Sequence, residues 1–479
     1  MPTELGKLSI KQAHTGLLQK EFSSRELTEA CLTKIEERNK EINAFITITH
    51  EYARESAAHA DKMIASGSAG VLTGIPFGVK DAICTLDVRS TASSTILDNY
   101  VPPYDATVIQ RIKDAGAVLV GKQNCDAFGH GASNENSMYG PVKNPHDTTK
   151  VSGGSSGGSA AAVVDGQCIF SIGEDTGGSI RQPASLCGVA GLRPTYGRNS
   201  RYGIMPMASS LDVVGPIAKT VEDIAYLMEV MAGRDPKDAT TVSDPVPKYS
   251  ELLDRPVKGM RIGVPKEYME LTGMDAEVRM IVESKIKALE HAGCEIVEVS
   301  LPHTKYAIPV YYILVPSEDS SNLGRIDGIR YGVQTTADSL YETYAQSRAN
   351  GFPEEVKRRI MIGTYALSSG YYDAYYIKAQ KVRSRIIEDF DVVFANVDAL
   401  ITPTSPFPAF GIGEKKGDVL AMYLADIFVS PASVAGVPAL SVNGGMTKNG
   451  LPVGIQIIGR RLDEARVLQL GHAVETLHF

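Results

Sequence analysis

The feature that most constrains the fold of this chain is a pair of glycine-rich turns that each present a serine. The first is Gly153–Ser159 (GGSSGGS) and the second is Asp175–Arg181 (DTGGSIR). Their central serines, Ser155 and Ser179, are 24 residues apart, with a largely apolar run between them. Because glycine adopts left-handed dihedrals and lets backbones approach closely, such turns can expose a hydroxyl and direct N–H groups at one point. Acyl transfer needs a nucleophile and donors for an oxyanion, so the chain is predicted to be an enzyme.

Composition narrows the class of protein. The chain has 479 residues, of which 43% are apolar and 22% charged, values close to the globular average. A net charge of −8 argues against a basic nucleic-acid surface on this chain itself. The six cysteines form no CxxC pair and are predicted to be free thiols in a reducing compartment. Residues 1–15 contain no signal-peptide core and no window is apolar enough for a membrane span, so we expect a cytoplasmic protein.

Helices and strands alternate along the chain. Helices are predicted within 8–40 (two), and over 51–67, 106–115 and 276–292, and strands over 44–48, 117–120, 260–264, 294–300, 397–402, 438–443 and 453–458. Ser23 and Glu26 stand at capping-box spacing and mark the start of the second helix. The alternation predicts an α/β fold, with a mixed central β-sheet covered by helices on both faces.

The chain is interpreted as a single domain, 1–479, with four sub-regions. These are an N-terminal part with the catalytic core (1–232), a strand-helix-strand unit (258–301), a helical cap over the site (302–390) and a C-terminal return to the sheet (391–479). The charge-poor, glycine-rich segment 129–205 is predicted to be a buried active-site core. The polar segment 233–257 is the candidate connection between lobes.

Lys80 is the candidate base. In a strand, Gly78, Lys80 and Ala82 share one face and Asp81 takes the other. Lys80 would then lie among small neighbours without a carboxylate partner, and a desolvated amine of this kind can accept a proton. The alternative is an ordinary lysine at the end of a strand.

Other chemistries are less well supported by the sequence. The segment Gly116–Gln123 does not match a P-loop, because Gln follows its lysine and the segment encloses a strand. A histidine-based triad is disfavoured because neither His130 nor His146 has an evident carboxylate partner. The histidines are too dispersed for a metal cage, so no metal is expected. For the serine turns, ordinary glycine turns or a phosphate nest stay open as alternatives.

Lys80, GGSSGGS and GGSIR occur in the order that is typical of the amidase signature family, and the chain resembles that family. The resemblance implies the amidase signature fold and a Ser–cis-Ser–Lys triad, in which Ser179 is the nucleophile, Ser155 relays the proton and Lys80 is the ultimate base. The other implied roles are an oxyanion hole made by backbone N–H groups of Thr176, Gly177, Gly178 and Ser179, and support of the network by Ser156 and Arg181.

Within the family, four further segments resemble the branch that serves glutamine-dependent amidotransferases. These segments are 135–137, 303–306, 355–361 and 371–376. The resemblance implies L-glutamine as the substrate, with Arg359 holding its α-carboxylate and Asp426 its α-amine. A guanidinium fork suits a carboxylate. Either Tyr311 or Tyr312 lines the pocket, and the sequence does not separate them.

The same resemblance implies partners. Members of this branch pass ammonia to a second subunit, which uses ATP and Mg²⁺ to convert Glu-tRNA(Gln) to Gln-tRNA(Gln). Subunits B and C would complete a heterotrimer, and no cofactor is expected in this chain. Two alternatives are a stand-alone amidase of small or aryl amides and a non-catalytic scaffold.

The chain departs from the family at two places. Asp126-Ala127-Phe128 stands where the family often has Asp-Glu-Phe, and Gly129-His130-Gly131 stands where it often has Ala-Met-Gly. If the missing glutamate belongs to the ammonia route, that route uses other polar groups here. The departures leave the amidase chemistry unaffected.

Overall fold

A mixed eleven-stranded β-sheet forms the centre of the computed structural model, which describes residues 2–477. The strands are β1 Phe45–Ile48, β2 Pro76–Lys80, β3 Val118–Gln123, β4 Lys143–Asn144, β5 Asp147–Val151, β6 Phe170–Asp175, β7 Ala190–Arg193, β8 Val213–Ala218, β9 Arg261–Pro265, β10 Glu295–Val299, β11 Ala399–Pro403, β12 Ala439–Met446 and β13 Pro452–Gly459. The central sheet has the order β1-β3-β2-β6-β8-β7-β12-β13-β11-β9-β10, and β4 and β5 form a separate hairpin.

The α-helices pack around this sheet. They are α1 Ile10–Gln19, α2 Ser24–Ile42, α3 His50–Ala65, α4 Thr107–Asp114, α5 Gly157–Asp165, α6 Arg181–Cys187, α7 Val221–Met231, α8 Lys266–Met269, α9 Ala276–His291, α10 Ala307–Asn322, α11 Leu340–Gly351, α12 Glu354–Ala366, α13 Lys378–Phe394, α14 Val419–Leu424, α15 Ser430–Ala435 and α16 Glu464–Thr476. None of the helices between residues 2 and 477 has the length and apolar content that a membrane span requires.

Both faces of the sheet are covered. On β3, Leu119 packs into one hydrophobic cluster, which includes residues of α4, α7 and α16. Its neighbours Val118 and Val120 pack into a second cluster, which includes residues of α2, α3 and α5. Because successive strand residues point to opposite faces, the two clusters lie on opposite sides of the sheet. The predicted fold class is confirmed.

The predicted elements occur with boundaries shifted by a few residues at most. The capping box is present at the start of α2, where the Ser23 and Glu26 side chains each accept the other's backbone N–H. Strands β6, β7 and β8 had no counterpart among the predicted strands. All three are buried along their whole length, so burial does not alternate along them, and β7 and β8 also lack alternating polar and apolar residues.

The helical cap predicted for 302–390 and the connection predicted for 233–257 contain features that the sequence did not indicate. Residues 302–390 contain α10, α11, α12 and most of α13, but 326–339 form an irregular loop and α13 continues to Phe394. The segment 233–257 is not a free connection, because Tyr249 is buried there and its hydroxyl accepts a hydrogen bond from Arg198 Nε at 3.0 Å. The division into sub-regions stays a prediction, and residues 1, 478 and 479 lie outside the described residues.

Strand direction determines where a site can form. β2, β3 and β6 are parallel neighbours, so their carboxyl ends meet at one edge of the sheet. Lys80 ends β2, Gln123 ends β3 and Asp175 ends β6. In parallel α/β sheets this edge is where ligands bind.

Candidate active site

Lys80 and Ser155 lie together at this edge of the sheet. The buried Lys80 Nζ donates a hydrogen bond to Ser155 Oγ at 2.7 Å and points at the Glu174 carbonyl oxygen at 3.4 Å. The Gly154–Ser155 peptide bond is cis. The structure thus joins two of the predicted residues across 75 positions of sequence.

The expectation that Lys80 has no carboxylate partner is wrong. Glu174 Oε2 lies 3.7 Å from Lys80 Nζ, and both side chains are buried. The argument from strand alternation considered only Asp81, which does point away and accepts the Thr91 N–H at 2.9 Å. Glu174 belongs to the neighbouring strand β6, a pairing that spacing along one strand does not reveal. Burial raises the pKa of the Glu174 carboxyl to about 8, against the opposing effect of the Lys80 charge.

Asp175 shapes the turn that carries Ser179. Its carboxylate accepts the N–H groups of Gly178 at 2.9 Å and Ile180 at 3.1 Å. The same carboxylate accepts hydrogen bonds from Arg181 and Arg193, all three groups being buried. Burial alone would raise the pKa of Asp175, but the two guanidinium groups hold it well below its usual range. The turn is therefore built around a carboxylate whose ionised form is favoured by its two guanidinium partners.

The backbone of the turn leaves donors available. The Gly178 N–H donates a hydrogen bond to the Asp175 carboxylate, so this predicted oxyanion donor is already engaged. Within residues 2–477, the N–H groups of Thr176, Gly177 and Ser179 donate to no protein group. Gly178 has a φ of 137°, and a Cβ there would overlap Val429, so the turn requires glycine.

Ser179 and Ser156 complete the turn region. Ser179 is 7% exposed, and its hydroxyl makes no hydrogen bond with any group of residues 2–477. Ser156 donates its N–H to the Ser179 carbonyl at 3.0 Å and its Oγ–H to the Glu174 carbonyl at 3.1 Å. Ser156 therefore ties the two glycine-rich turns to the end of β6, in the place predicted for a supporting residue.

A second group of predicted residues meets around Tyr312. Arg359 on α12 is 3% exposed, and its guanidinium carbon lies 5.0 Å from the Tyr312 ring centroid. Arg359 Nε donates to Glu355 Oε1 at 2.9 Å, and its two terminal nitrogens make no hydrogen bond with residues 2–477. Asp426, which follows α14, accepts a hydrogen bond from the Tyr312 hydroxyl, with 3.2 Å between Oδ2 and the hydroxyl oxygen. Burial raises the pKa of Asp426 to about 7, although the Arg359 charge lowers it.

The structure separates the two tyrosines that the sequence left unresolved. Tyr311 packs on the turn that carries Ser179, since a Cβ on Gly177 would be 2.5 Å from its ring. Tyr312 lies between the Arg359 guanidinium and the Asp426 carboxyl. Tyr423 stacks on Tyr312 with ring centroids 3.6 Å apart. Both candidates therefore border the site, one at the turn and one at the charged groups.

The expectation that His130 lacks a carboxylate partner is also wrong. His130 Nε2 lies 2.9 Å from Asp319 Oδ2, with both side chains fully buried. His130 Nδ1 faces the Phe128 carbonyl oxygen at 2.9 Å. The pair connects the loop of residues 126–131 to α10. That loop reaches the site, because a Cβ on Gly129 would be 3.8 Å from Ser155 Oγ.

Some residues at the site were not found from the sequence. Glu174 directly precedes the turn that carries Ser179 and Asp175 begins it, and a carboxylate pair at the end of an apolar run was a signal that could have identified their roles. Asp319 was detectable as a charged residue in a largely apolar helix. Between residues 2 and 477 no group of three or more His, Cys, Asp or Glu side chains could hold a metal ion.

The chain is similar to several known proteins over nearly its whole length. The Amidase family model matches residues 26–468. The chain is 53% identical over 474 residues to the A subunit of glutamyl-tRNA(Gln) amidotransferase from Koribacter versatilis, covering 98% of each protein. It resembles the crystal structure of the same subunit from Thermotoga maritima, with 42% identity and a TM-score of 0.82 over 98% of this chain and 95% of that one. It also resembles a peptide amidase from Stenotrophomonas maltophilia, with 28% identity and a TM-score of 0.83 over 98% and 96% of the two chains.

These matches extend over nearly the whole chain, and the fold they share is the one described above. The chain belongs to the amidase signature family.

Proposed function

We propose that this chain is the amidase subunit of a glutamyl-tRNA(Gln) amidotransferase, and that it hydrolyses L-glutamine to supply ammonia. The observation that carries the proposal is the pair of buried charges around Tyr312. A free amino acid brings both a carboxylate and an ammonium into a site, and each charge needs a partner there. Arg359 has two unengaged terminal nitrogens for the carboxylate, and Asp426 has a carboxyl for the ammonium. The near full-length similarity to subunits of that name supports the same substrate.

The oxyanion donors follow from the hydrogen bonds of the turn. With its α-carboxylate on Arg359 and its α-ammonium on Asp426, glutamine extends its amide toward Ser179. The N–H groups of Thr176, Gly177 and Ser179 are the donors left for the carbonyl oxygen. Preorganised N–H donors of this kind stabilise the tetrahedral oxyanion more than the substrate carbonyl.

The proton path follows from the contacts of Ser155. Ser179 Oγ attacks the amide carbon while its proton passes to Ser155 Oγ, and the Ser155 proton passes to Lys80 Nζ over the 2.7 Å contact. When the tetrahedral intermediate collapses, the C–N bond breaks and the proton returns through Ser155 to the leaving nitrogen, which departs as ammonia. Water then hydrolyses the glutamyl ester on Ser179 by the same route.

The partners are part of the proposal. Ammonia is consumed by a second subunit that activates Glu-tRNA(Gln) with ATP and Mg²⁺, and a third subunit completes a cytoplasmic heterotrimer. Binding of ATP by the second subunit is consistent with this chain, in which the lysine of the segment Gly116–Gln123 belongs to strand β3. That lysine, Lys122, is buried and donates to the Ile83 carbonyl and Ser90 Oγ, so it is not placed to hold a phosphate.

The test is ammonia release from L-glutamine, measured for the chain alone and for the chain co-expressed with candidate B and C subunits. Ser179→Ala should abolish glutamine-dependent formation of Gln-tRNA(Gln) by the complex and leave the reaction with free ammonia intact. Ser159→Ala is the matched control, because Ser159 belongs to the first glycine-rich turn and its buried hydroxyl makes no hydrogen bond within residues 2–477. This variant should behave like the wild type.

The other outcomes separate the alternatives. Loss of both the glutamine and the ammonia reactions in Ser179→Ala would refute the role of Ser179. Hydrolysis of neutral amides by the lone chain, without turnover of glutamine, would identify a stand-alone amidase. Failure of Ser179 to react with an amide-directed electrophile would identify a non-catalytic scaffold.

A further inference from the structure

We propose that Glu355 is a positioning residue for glutamine, because it holds the Arg359 guanidinium at Nε and leaves the two terminal nitrogens to bind the ligand carboxylate. The inference rests on the proposed function, in which Arg359 binds that carboxylate. An arginine side chain is long and loses much conformational freedom when it is fixed. A site that fixes the guanidinium before the ligand arrives therefore binds the ligand more tightly.

The contact between Glu355 and Arg359 has the geometry that this role needs. Glu355 Oε1 accepts a hydrogen bond from Arg359 Nε at 2.9 Å, and both residues are buried. The guanidinium is planar, and its N–H groups point in fixed directions. An acceptor at Nε therefore fixes the direction of the two terminal nitrogens, which make no hydrogen bond with residues 2–477.

Glu355 is itself held in place by three donors. It lies in the first turn of α12, and Arg358 and Arg359 follow it at the i+3 and i+4 positions, on the same face of the helix. Its Oε2 pairs with Arg358, and its Oε1 also accepts a hydrogen bond from the Tyr423 hydroxyl at 3.0 Å. Both carboxyl oxygens are thus engaged by protein groups, so Glu355 orients Arg359 and is not placed to bind the ligand itself.

Two aromatic rings lie beside the same guanidinium. Its carbon is 5.0 Å from the ring centroid of Tyr312 and 5.6 Å from that of Tyr423. The two rings stack with centroids 3.6 Å apart, and the Tyr312 hydroxyl donates to Asp426. The Arg359 guanidinium is thus held at Nε by Glu355 and bordered by the stacked tyrosines before any ligand binds.

The charge of Glu355 allows its role to be tested by the direction of an effect. Burial opposes its ionisation, but its two arginine partners and the Tyr423 hydroxyl hold the pKa of Glu355 below its usual value. A negative charge beside Arg359 repels a ligand carboxylate, so removal of the charge alone would strengthen the binding of glutamine. Loss of a positioning contact would weaken it. A substitution that removes both the charge and the contact therefore separates the two effects.

The test is protection of Ser179 from a fluorophosphonate, a reagent that modifies the nucleophile and needs neither glutamine nor tRNA. The chain is used in complex with its candidate B and C subunits, and the measured quantity is the glutamine concentration that halves the labelling rate. In Glu355→Ala this concentration should rise about tenfold, because the ligand itself must then order Arg359. The KM for glutamine should rise by the same factor, with kcat and the labelling rate without glutamine changed less than about threefold.

Two further variants isolate the hydrogen bond to Arg359. Glu355→Gln removes the same charge but keeps an oxygen acceptor for Nε, so protection by glutamine should stay within about threefold of the wild type or improve. Glu355→Met fills the space without an acceptor and should behave like Glu355→Ala, which it replaces if the alanine variant does not fold.

Glu354→Ala is the matched control. Glu354 precedes Glu355 on the same helix and pairs with Arg358 at 2.8 Å, but its side chain is 86% exposed and makes no hydrogen bond to Arg359. This variant should leave protection by glutamine unchanged. Glutaramate, which lacks the α-amine of glutamine but keeps its carboxylate, locates the effect, because Glu355→Ala should weaken protection by both compounds equally.

Several results would overturn the inference. The first is protection by glutamine that is unchanged or stronger in both Glu355→Ala and Glu355→Met, and the second is an equal loss in Glu355→Gln. The others are a loss with glutamine but not with glutaramate, and a labelling rate without glutamine that falls as much as the protection does. A wild type that is labelled but gains no protection from glutamine would instead refute the proposed function, and it would do so before any variant is compared.

Discussion

Replacing Asp426 by Asn tests whether this carboxyl binds the α-ammonium of glutamine. Asp426 is 8% exposed, and Tyr312 is its hydrogen-bond donor at 3.2 Å. Asparagine has the same shape and can accept the same hydrogen bond, so the substitution removes the negative charge and little else. The ligand ammonium would then enter a buried site without a counter-charge.

The expected size of the effect follows from the burial of this group. A hydrogen bond to a charged partner contributes about 1.5–3 kcal/mol, and removing a buried charged partner costs about 2–5 kcal/mol. For a carboxyl that keeps some exposure we take about 2–3 kcal/mol. This corresponds to a loss of about 30- to 150-fold in kcat/KM for glutamine.

The assay compares glutamine with glutaramate, which keeps the carboxylate and the amide but lacks the α-amine. Asp426→Asn should lower kcat/KM for glutamine by the factor above and change that for glutaramate less than about threefold. The wild type should prefer glutamine to glutaramate by a similar factor. An equal loss with both substrates would refute the assignment of Asp426 to the ammonium.

The same residue predicts a pH dependence. Burial raises the pKa of Asp426 to about 7. Below that pH the carboxyl is protonated and cannot pair with an ammonium, so the preference of the wild type for glutamine over glutaramate should fall as the pH falls through about 7. Using the ratio of the two substrates cancels the titration of any group that affects both reactions equally. In Asp426→Asn the ratio should not vary over this range.

Two further predictions concern stability. Asp175→Asn removes the counter-charge of two buried guanidinium groups, and should lower the free energy of urea unfolding by about 3–5 kcal/mol; a change below about 1 kcal/mol would show that Arg181 and Arg193 find other partners. His130→Met leaves Asp319 buried without its partner, and should destabilise the fold by about 1–3 kcal/mol. Adding Asp319→Leu should recover most of this loss, and strictly additive effects would show that the two side chains are not coupled.

The local elements and the nucleophile turn could be predicted from the sequence because their signals are local. Glycine spacing marks the turn at Gly177 and Gly178, and the capping box marks the start of α2 at Ser23. The fold class followed from the alternation of helix and strand patterns. Strands β6 and β8 are buried along their whole length, so no alternation between buried and exposed residues marks them. They lie near the centre of the sheet.

The partners of the buried charges could not be predicted, because each partner comes from a different strand or helix. Glu174 reaches Lys80 only because β6 pairs with β2 in parallel. Asp319 reaches His130 only because α10 packs over the loop at 126–131. A single sequence gives the face on which a side chain lies, but not the neighbouring segment that faces it.

The same contacts explain why carboxyl groups so close together have different roles. Asp175 accepts hydrogen bonds from two guanidinium groups, which hold its pKa well below its usual range, and this suits a group that shapes a turn. Glu174 and Asp426 are 2% and 8% exposed, and within residues 2–477 no guanidinium group donates a hydrogen bond to either carboxyl. Burial raises the pKa of these two carboxyls to about 8 and about 7. The charge of Asp426 therefore changes near neutral pH, which makes an ammonium site built on it sensitive to pH. Direct hydrogen bonds from guanidinium groups distinguish the carboxylate that shapes the turn from these two carboxyls.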